Sequence, residues 1–388
     1  MTEDLVQKIG TDRVVTMDDT SLPPSDALDF YNFDCEQLTK LLTERFSAPR
    51  FTAVQLFQWV YKQEITDFSL MTNLGRDLRQ KISQVFYFPK AKVRDRQIST
   101  DGTRKYLFEL DQEAVIESVM IKQPKRMTLC VSSQVGCGMG CSFCRTATMG
   151  FRRNLTTSEI VRQVLGVSQD AKNFDDSFSN IVFMGMGEPL HNYRSVVSAL
   201  KILKDANGLA IAPRRITISS VGLVPAIEKF GSAGVDVNIA ISLNATTNQS
   251  RQAIMPITKA YPIEHLLQTL RNYPLKNRRK FTIEYVMLAG INDSEADLKR
   301  LPKLLNGIPS KVNLIPYNMN AGLGFQTPSL EWVRHWQNGL HQAGLDVTVR
   351  WSKGVDIDAA CGQLAVQASA NKNTSLAQID LRQMTQSP

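Results

Sequence analysis

The stretch Cys137-Gly-Met-Gly-Cys141-Ser-Phe-Cys144 organises this 388-residue chain, because it spaces three thiols as C-x3-C-x2-C. The two glycines let the backbone turn without a Cβ clash, so one metal centre can receive all three sulfurs. A closed zinc site or a four-cysteine cluster needs a fourth ligand, yet no further Cys or His lies between Cys130 and His191. Three thiolates on a four-iron cluster leave one iron open to a small molecule. The alternatives are a zinc site with a remote fourth ligand and unrelated buried cysteines.

Around this loop the sequence alternates apolar strands with helices. A strand at 128–133 leads into the loop, and Thr156-x-x-Glu159 is a capping box that opens the next helix. Continuous apolar strands indicate a parallel sheet covered by helices. Six such units predict an α/β fold, a partial (β/α)6 barrel, with functional residues at the carboxyl ends of the strands. Later strands are predicted at 180–184, 215–219, 237–243, 281–287, 311–316 and 346–351, and helices at 193–204, 224–233, 262–272, 295–306 and 330–343.

The flanking segments differ from this pattern. Residues 1–25 are polar and predict a disordered leader, and 366–388 predict a disordered tail. Residues 26–90 carry apolar stripes at helical spacing and predict a small helical domain whose aromatic residues form its core. Residues 91–127 predict a connecting β-meander with a turn at Ser99-Thr100-Asp101-Gly102. The barrel then occupies 128–365.

Composition restricts the class of protein. The chain is 43% apolar, enough for a large core, and no stretch approaches the roughly 18 apolar residues of a membrane span. Its first residues have neither the basic nor the apolar region of a signal peptide. Six cysteines in such a chain favour metal or redox chemistry over a disulfide framework. We therefore expect a cytoplasmic protein without a membrane partner.

Charge is unevenly distributed. The net charge of the whole chain is +8. Residues 1–26 hold six acids and two bases, a net charge of −4, so the remaining residues carry a net charge of +12. A polyanionic partner is one interpretation, and solvated surfaces are the other. The basic clusters are Lys122/Lys125/Arg126, Arg152/Arg153, Arg214/Arg215 and Lys276/Arg278/Arg279/Lys280.

Several motifs together resemble one family, the radical S-adenosylmethionine (SAM) RNA adenine methyltransferases of the RlmN/Cfr group. They are the cysteine loop, the segment from Leu129 to Cys137, Met184-Gly-Met-Gly-Glu-Pro-Leu190, Asn313-Leu-Ile-Pro-Tyr-Asn318 and Asp356-Ile-Asp-Ala-Ala-Cys-Gly-Gln-Leu364. The resemblance covers about residues 30 to 365. Pro189 favours the branch that methylates carbon 2 over the carbon-8 branch, which has alanine there.

The resemblance implies a role for each matched residue. Cys137, Cys141 and Cys144 ligate a [4Fe-4S] cluster, and SAM is used twice per turnover, as methyl donor and as radical source. The implied SAM contacts are Gly187, Glu188, Ser219, Ser242, Leu243, Asn244 and Asn318. Asn244 departs from the histidine common in the family, although its amide still donates and accepts hydrogen bonds.

Three further residues carry the implied chemistry. Taken alone, Cys130 is a small buried hydrophobe, Cys361 is an unhindered thiol of open function, and Glu117 is a solvated strand residue. The resemblance implies that Cys361 is methylated and delivers the group to the base. It further implies that Cys130 releases the product by forming a disulfide with Cys361, and that Glu117 is the general base.

The predicted function is therefore methylation of adenine carbon 2 in 23S ribosomal RNA and in transfer RNA beside the anticodon. We expect the helical domain and the basic clusters to bind RNA, an external electron donor and a disulfide reductant to serve the enzyme, and the chain to be monomeric. The alternatives are carbon-8 methylation, a radical SAM activase acting on a protein, and a zinc-dependent RNA-binding module.

Overall fold

The computed structural model describes residues 26–365 except 112, 125 and 321. The predicted leader and tail, and Lys125 of the first basic cluster, lie outside the described residues. Within the described part, no helix is both long and apolar enough to cross a membrane.

The helices and strands follow the predicted alternation. The helices are α1 (Cys35–Phe46), α2 (Phe51–Phe57), α3 (Arg76–Ser83), α4 (Arg145–Thr148), α5 (Thr157–Lys172), α6 (Tyr193–Lys204), α7 (Val224–Gly231), α8 (Asn248–Ile254), α9 (Ile263–Asn272), α10 (Glu295–Leu304) and α11 (Leu330–Gln342). The strands are β1 (Leu28–Asp29), β2 (Phe86–Tyr87), β3 (Lys92–Ile98), β4 (Arg104–Glu109), β5 (Val115–Gln123), β6 (Arg126–Cys130), β7 (Gln134–Gly136), β8 (Phe151–Asn154), β9 (Asn180–Phe183), β10 (Ile216–Ser220), β11 (Asn238–Ser242), β12 (Phe281–Met287), β13 (Ser310–Pro316) and β14 (Val347–Val349).

One ten-stranded sheet dominates the molecule, in the order β14-β13-β12-β11-β10-β9-β6-β5-β4-β3. Strands β6 and β9 to β14 run parallel, whereas β3, β4 and β5 are antiparallel and extend the same sheet beyond β6. Within the described residues no pairing joins β14 to β3, so the barrel is open on that side. The predicted partial barrel is confirmed, and its meander is part of the barrel's sheet.

Burial explains why these segments form a covered parallel sheet. Ile239, Ala240 and Ile241 are consecutive and all buried, because helices cover one face of β11 and the barrel interior covers the other. Helix α5 begins at the predicted capping box: Thr156 accepts from the backbone N–H of Glu159, whose side chain accepts from the backbone N–H of Thr156. Each fully buried aliphatic side chain contributes roughly 1.5–3 kcal/mol of transfer free energy.

The N-terminal helical region packs around aromatic rings. The ring of Phe30 lies 4.9 Å from that of Phe88 and 5.8 Å from that of Phe86, centroid to centroid. Phe57 and Tyr61 pack into the same group, with centroids 5.0 Å apart. These rings form the core of the region, as the apolar spacing predicts, and are not available to stack on bases.

Several short elements were missing from the sequence-based prediction, among them β7, β8, α4 and α8. Strands β7 and β8 form a short antiparallel ribbon on either side of the cysteine loop, and α8 lies between β11 and β12. Both ribbon strands have four residues or fewer, too short for an apolar period to stand out.

Candidate active site

An open cavity of about 980 Å³ lies at the carboxyl ends of the parallel strands. Its location agrees with the expectation for a barrel of this type. Most of the residues that the motifs single out line this cavity, namely Cys137, Cys141, Cys144, Gly187, Glu188, Ser219, Ser242, Asn244, Asn318 and Cys361.

The β7–β8 ribbon closes the base of the cysteine loop. A Cβ atom on Gly136 would lie 1.8 Å from the carbonyl oxygen of Gly150, so only glycine permits this approach of the two strands. The backbone N–H of Cys137 donates to that same oxygen at 2.9 Å, and the N–H of Cys144 donates to Cys141 O at 3.1 Å. The loop is thus a fixed cradle.

The three thiols of the cysteine loop all line the large cavity. Burial raises the pKa of Cys137 to about 12, and it also raises the pKa of Cys141 and Cys144, so they ionise only beside a strong cationic centre. Three thiolates without a fourth ligand in the loop are the donor set that a four-iron cluster with one open iron would require. Cys137, Cys141 and Cys144 would hold it.

Glu188 is a buried carboxylate at the cavity wall, 2% exposed. Its Oε2 accepts from the backbone N–H of Val221 at 2.9 Å, and its Oε1 from that of Leu190 at 3.1 Å. Burial raises its pKa to about 7, although these hydrogen bonds oppose the shift. Gly187 has φ +97° and packs so tightly on Gln134 that a Cβ would lie 2.5 Å from that side chain. An ammonium group that enters this cavity would find a fixed anionic partner.

The other predicted SAM contacts come from strand ends. Ser219 is in β10 and Ser242 ends β11, and both line the cavity. Asn244 adopts a left-handed backbone with φ 56°, which asparagine tolerates better than most residues. Its Oδ1 accepts from the N–H of Val286 at 2.8 Å, so its amide is already oriented. Leu243 is fully buried and is not part of the cavity wall.

Arg251 in α8 was missed by sequence reasoning. It is fully buried and donates to the backbone oxygens of Leu243 at 2.9 Å, Ser242 at 3.1 Å and Val221 at 2.6 Å. The residue therefore fixes the ends of two strands that line the cavity. A lone arginine in a short helix gives no signal of this role in the sequence, because its partners come from distant segments.

The segment 350–365, which we name the Cys361 loop, completes the cavity. Asn318 donates to the carbonyl oxygen of Cys361 at 3.3 Å, which ties a predicted SAM residue to the backbone of the predicted methyl-carrying residue. The backbone N–H of Arg145, directly after the cysteine loop, donates to Gly362 O at 2.8 Å, and its guanidinium pairs with Asp358 at 3.2 Å. The cysteine loop and the Cys361 loop are thus fixed to each other.

The predicted turn of the meander holds the Cys361 loop from the other side. Asp356 accepts from Ser99 Oγ at 2.5 Å and from the N–H of Thr100 at 2.9 Å. In return, Asp101 accepts from the N–H of Gly354 at 3.0 Å. The turn and the loop are more than 250 residues apart in sequence. These hydrogen bonds bridge the open side of the barrel.

Cys361 also lines a second, smaller cavity, together with Cys130. Arg350 stands in its wall, with Nη1 3.4 Å from the sulfur of Met184. Burial raises the pKa of Cys130 to about 12, the charge of Cys361 adds to the shift, and Arg350 opposes it. The charges of Cys361, Glu284 and Cys130 in turn raise the pKa of Arg350. The structure thus places Cys130 and Cys361, the two thiols that the resemblance pairs, in the wall of one cavity. Arg350 lies in the same wall, and sequence reasoning did not indicate it.

Glu117 lines neither cavity. It is buried in β5, where Lys105 Nζ lies 3.4 Å from Oε1, while Oε2 has no hydrogen-bond partner in the described part of the chain. Burial raises its pKa and Lys105 opposes the shift. It is a buried carboxylate with a spare acceptor atom, rather than the solvated residue that the sequence alone suggests.

The basic clusters are differently placed. Lys280 immediately precedes β12, at the sheet edge opposite to the strand ends that line the large cavity, and its ammonium pairs with Asp346. Lys276 and Arg279 both pair with Asp236. In contrast, Arg126 donates to Gln123, which lines the second cavity. The cluster at 276–280 thus gives the weakest support to RNA binding.

Comparisons with known proteins agree with this site. The model of the Radical SAM superfamily matches residues 131–301, and that of the ribosomal RNA large subunit methyltransferase N-terminal domain matches residues 28–88. The dual-specificity RNA methyltransferase RlmN of Geotalea uraniireducens is 46% identical over 87% of this chain and 96% of its own length. The enzyme of the same name from Geobacter sulfurreducens is 46% identical over 89% of this chain and 94% of its own. A radical SAM methyltransferase structure from Sphaerobacter thermophilus superposes with a TM-score of 0.80, at 38% identity, over 87% of this chain and 99% of that one.

The partial barrel, the three-cysteine loop at its carboxyl end and these matches define a radical SAM enzyme, which uses a [4Fe-4S] cluster and SAM. Within that class the chain belongs to the RlmN family of RNA methyltransferases.

Proposed function

We propose that this enzyme methylates carbon 2 of adenine in 23S ribosomal RNA and in transfer RNA beside the anticodon, with Cys361 carrying the methyl group and Cys130 releasing the product. The observation that carries this proposal is the position of Cys361, which lines both the large cavity and the smaller cavity that contains Cys130. One thiol can therefore serve a methyl-accepting step on one side and a resolving step on the other.

Adenine carbon 2 is electron-poor, so it does not attack a methyl donor as an ordinary nucleophile. When bound, the cluster and SAM supply the methyl group and the one-electron chemistry that activates it. This chain supplies position: Glu188 pairs with the SAM ammonium, and Ser219, Ser242, Asn244 and Asn318 orient the rest. Leu243 contributes by its buried backbone, which Arg251 fixes.

Cys361 Sγ gives up its proton and accepts a methyl group. That methyl loses one hydrogen atom and forms a carbon–carbon bond to the base, and the resulting radical adduct gives up one electron, which a bound cluster would take back. A base must then remove the proton from carbon 2, and Glu117 is the proposed acceptor because its Oε2 is free of hydrogen bonds within the described residues. Since Glu117 lines neither cavity, this step requires the substrate or a water chain to reach it.

Cys130 completes the cycle. Its thiolate attacks Cys361 Sγ, the bond from that sulfur to the transferred carbon breaks, and the carbon takes up a proton to become the methyl group. The two cysteines are left as a disulfide, so an external dithiol must return two electrons before the next cycle.

We further propose an external electron donor for the cluster, a cytoplasmic location where both RNAs occur, and action as a monomer. The proposal is tested by incubating cluster-loaded protein with ribosomal and transfer RNA, digesting the RNA and measuring the nucleosides by mass spectrometry. We expect 2-methyladenosine from both RNAs. 8-Methyladenosine, or no methylated adenosine, would refute the assignment.

A further inference from the structure

Trp351 is the one tryptophan in the described residues whose indole N–H makes no hydrogen bond. The other three donate to defined oxygens: Trp59 to Asn73, and Trp332 and Trp336 both to Asp293 O. Trp351 is 53% exposed, and within residues 26–365 no ring or guanidinium stacks on it. Single exposed apolar residues are ordinary, so exposure alone does not mark a site.

The position of Trp351 is what distinguishes it. It follows β14, the outer strand on the open side of the barrel, and lines the second cavity with Cys130 and Cys361. The backbone N–H of the preceding residue, Arg350, donates to Leu314 O at 2.8 Å, so the sheet holds the start of this segment. Gly354, three residues later, is fixed by Asp101. A large flat ring is thus attached to a rigid support beside the two thiols.

The surrounding charge suits a polyanion. Arg350 and Lys353 line the same cavity, with the Lys353 ammonium 3.9 Å from Asp101, and Arg126 donates to Gln123 in its wall. The nearby acids Asp101 and Asp356 are engaged in the hydrogen bonds that hold the Cys361 loop. An aromatic face among cations is the combination that binds unpaired nucleotides, by stacking on the base and neutralising the phosphates.

From this arrangement we propose that the indole of Trp351 stacks on the target adenine of the RNA while that base is bonded to, or poised over, Cys361. The inference rests on the proposed function and names a further substrate-binding residue for it. The target base is the occupant because its transferred carbon is bonded to Cys361 Sγ when Cys130 attacks that sulfur, and Trp351 shares a cavity wall with both thiols. Stacking is compatible with a base taken out of its helix, which has lost its neighbours.

The test compares Trp351→Ala, Trp351→Phe and the control Trp332→Phe, whose indole belongs to α11 and lines neither cavity. The probe is an anticodon stem–loop RNA titrated against cluster-loaded protein. We expect Trp351→Ala to weaken binding by about 5- to 150-fold, the effect of removing one stacked base. Trp351→Phe should keep most of the affinity but lose the quenching of tryptophan fluorescence by RNA. Trp332→Phe should keep both.

A second RNA, abasic at the target position, identifies the stacked base. The wild type and Trp351→Ala should bind this RNA equally, because the partner of the indole is gone. A Trp351→Ala defect that persists on abasic RNA would overturn the assignment to the target adenine, and equal affinity of both proteins for intact RNA would overturn stacking altogether.

The outcomes also separate this inference from the proposed function. Methylation of Cys361 by SAM needs no RNA, so Trp351→Ala should form methyl-Cys361 at the wild-type level, measured by peptide mass spectrometry. If the wild type methylates RNA and Trp351→Ala binds RNA normally, only the proposed stacking of Trp351 on the target adenine is wrong. A wild type that never methylates Cys361 or RNA defeats the function itself.

Discussion

The two cavities that share Cys361 were built in different ways. The large cavity is lined by contiguous motifs, with three thiols in one loop and Glu188 in one turn, so its chemistry is written locally in the sequence. The small cavity brings Cys130 together with Arg350 and Cys361 of the Cys361 loop, which lies more than 200 residues further along the chain. A site that binds a common cofactor can be read from short motifs, whereas a site that handles a particular substrate is assembled only by the fold.

The sharpest contrast between the cavities is expected in cluster content. Cys141→Ala removes one of three thiolates from the large cavity, and we expect nearly complete loss of the cluster because two thiolates hold it poorly. Cys130→Ala, in the small cavity, should retain about four irons per chain. Iron analysis and visible absorbance of anaerobically purified proteins measure this. Equal iron in both variants would contradict the assignment of the cluster ligands to the large cavity alone. A colourless wild type with stoichiometric zinc would contradict the cluster itself.

The next contrast lies within the small cavity. Cys130→Ala still has Cys361 and the cluster, so it should accumulate a covalent protein–RNA adduct that survives denaturation and disappears with ribonuclease. Cys361→Ala has no sulfur to methylate and should form none. Denaturing gels and mass spectrometry of the Cys361 peptide provide the measurement. Turnover of Cys130→Ala at the wild-type rate would show that this thiol is only a packed core residue.

A smaller effect is expected in the pH dependence of SAM binding to the large cavity. Burial raises the pKa of Glu188 to about 7, so its carboxylate is protonated below that pH and cannot pair with an ammonium. We expect SAM affinity, measured by calorimetry on cluster-loaded protein, to fall by up to about tenfold per unit below pH 7. Glu188→Gln should bind weakly with little pH dependence. An unchanged profile in this variant would assign the titration to another group.

The same shift has a consequence for stability. Native Glu188 holds its proton more tightly than it does in the unfolded chain, where its pKa is near 4.5. Its protonation therefore adds to the free energy of unfolding below about pH 4.5, and this stabilisation is lost as the pH rises to about 7. Chemical denaturation of the SAM-free protein should give a lower free energy of unfolding at pH 7.5 than at pH 5, and Glu188→Gln should not show this decrease.

The smallest effect is expected from the basic cluster at the opposite edge of the sheet. Arg278, Arg279 and Lys280 together were candidates for RNA contact, but Arg279 and Lys280 pair with acids and precede β12. Replacing the three with Ala should change RNA affinity by less than twofold, whereas Lys122→Ala with Arg126→Ala, beside the small cavity, should flatten the salt dependence by roughly one unit of slope per lost phosphate contact. A large loss from the first set would relocate the RNA surface.

Prediction from sequence succeeded where periodicity and local spacing carry the information. Helix α6 and strand β12 match the predicted 193–204 and 281–287, because each has a single uninterrupted apolar pattern. The cysteine loop and the Gly187–Glu188 turn were found because their chemistry needs neighbours in sequence. The predicted SAM and catalytic roles themselves stay predictions until the experiments above are done.

What the sequence could not indicate depends on contacts between distant segments. Arg251 acts on backbone oxygens of other strands, so its neighbours in α8 say nothing about it. Arg350 and Trp351 gain their surroundings only when the Cys361 loop folds across the open side of the barrel. Glu117 looks solvated in its strand pattern, and only the packing of the extended sheet buries it.

Among the described residues, the outer edges of β14 and β3 pair with no further strand, and such edges invite association with other chains. Strand β14 is only three residues long, so it offers a short template. Strand β3 is longer, but it carries Lys92, Arg94, Asp95 and Arg96, and a register shift between Val93 and Asp95 interrupts its regular pairing surface. Charge and irregularity therefore protect the edges. The sheet can thus remain open without becoming a template for aggregation.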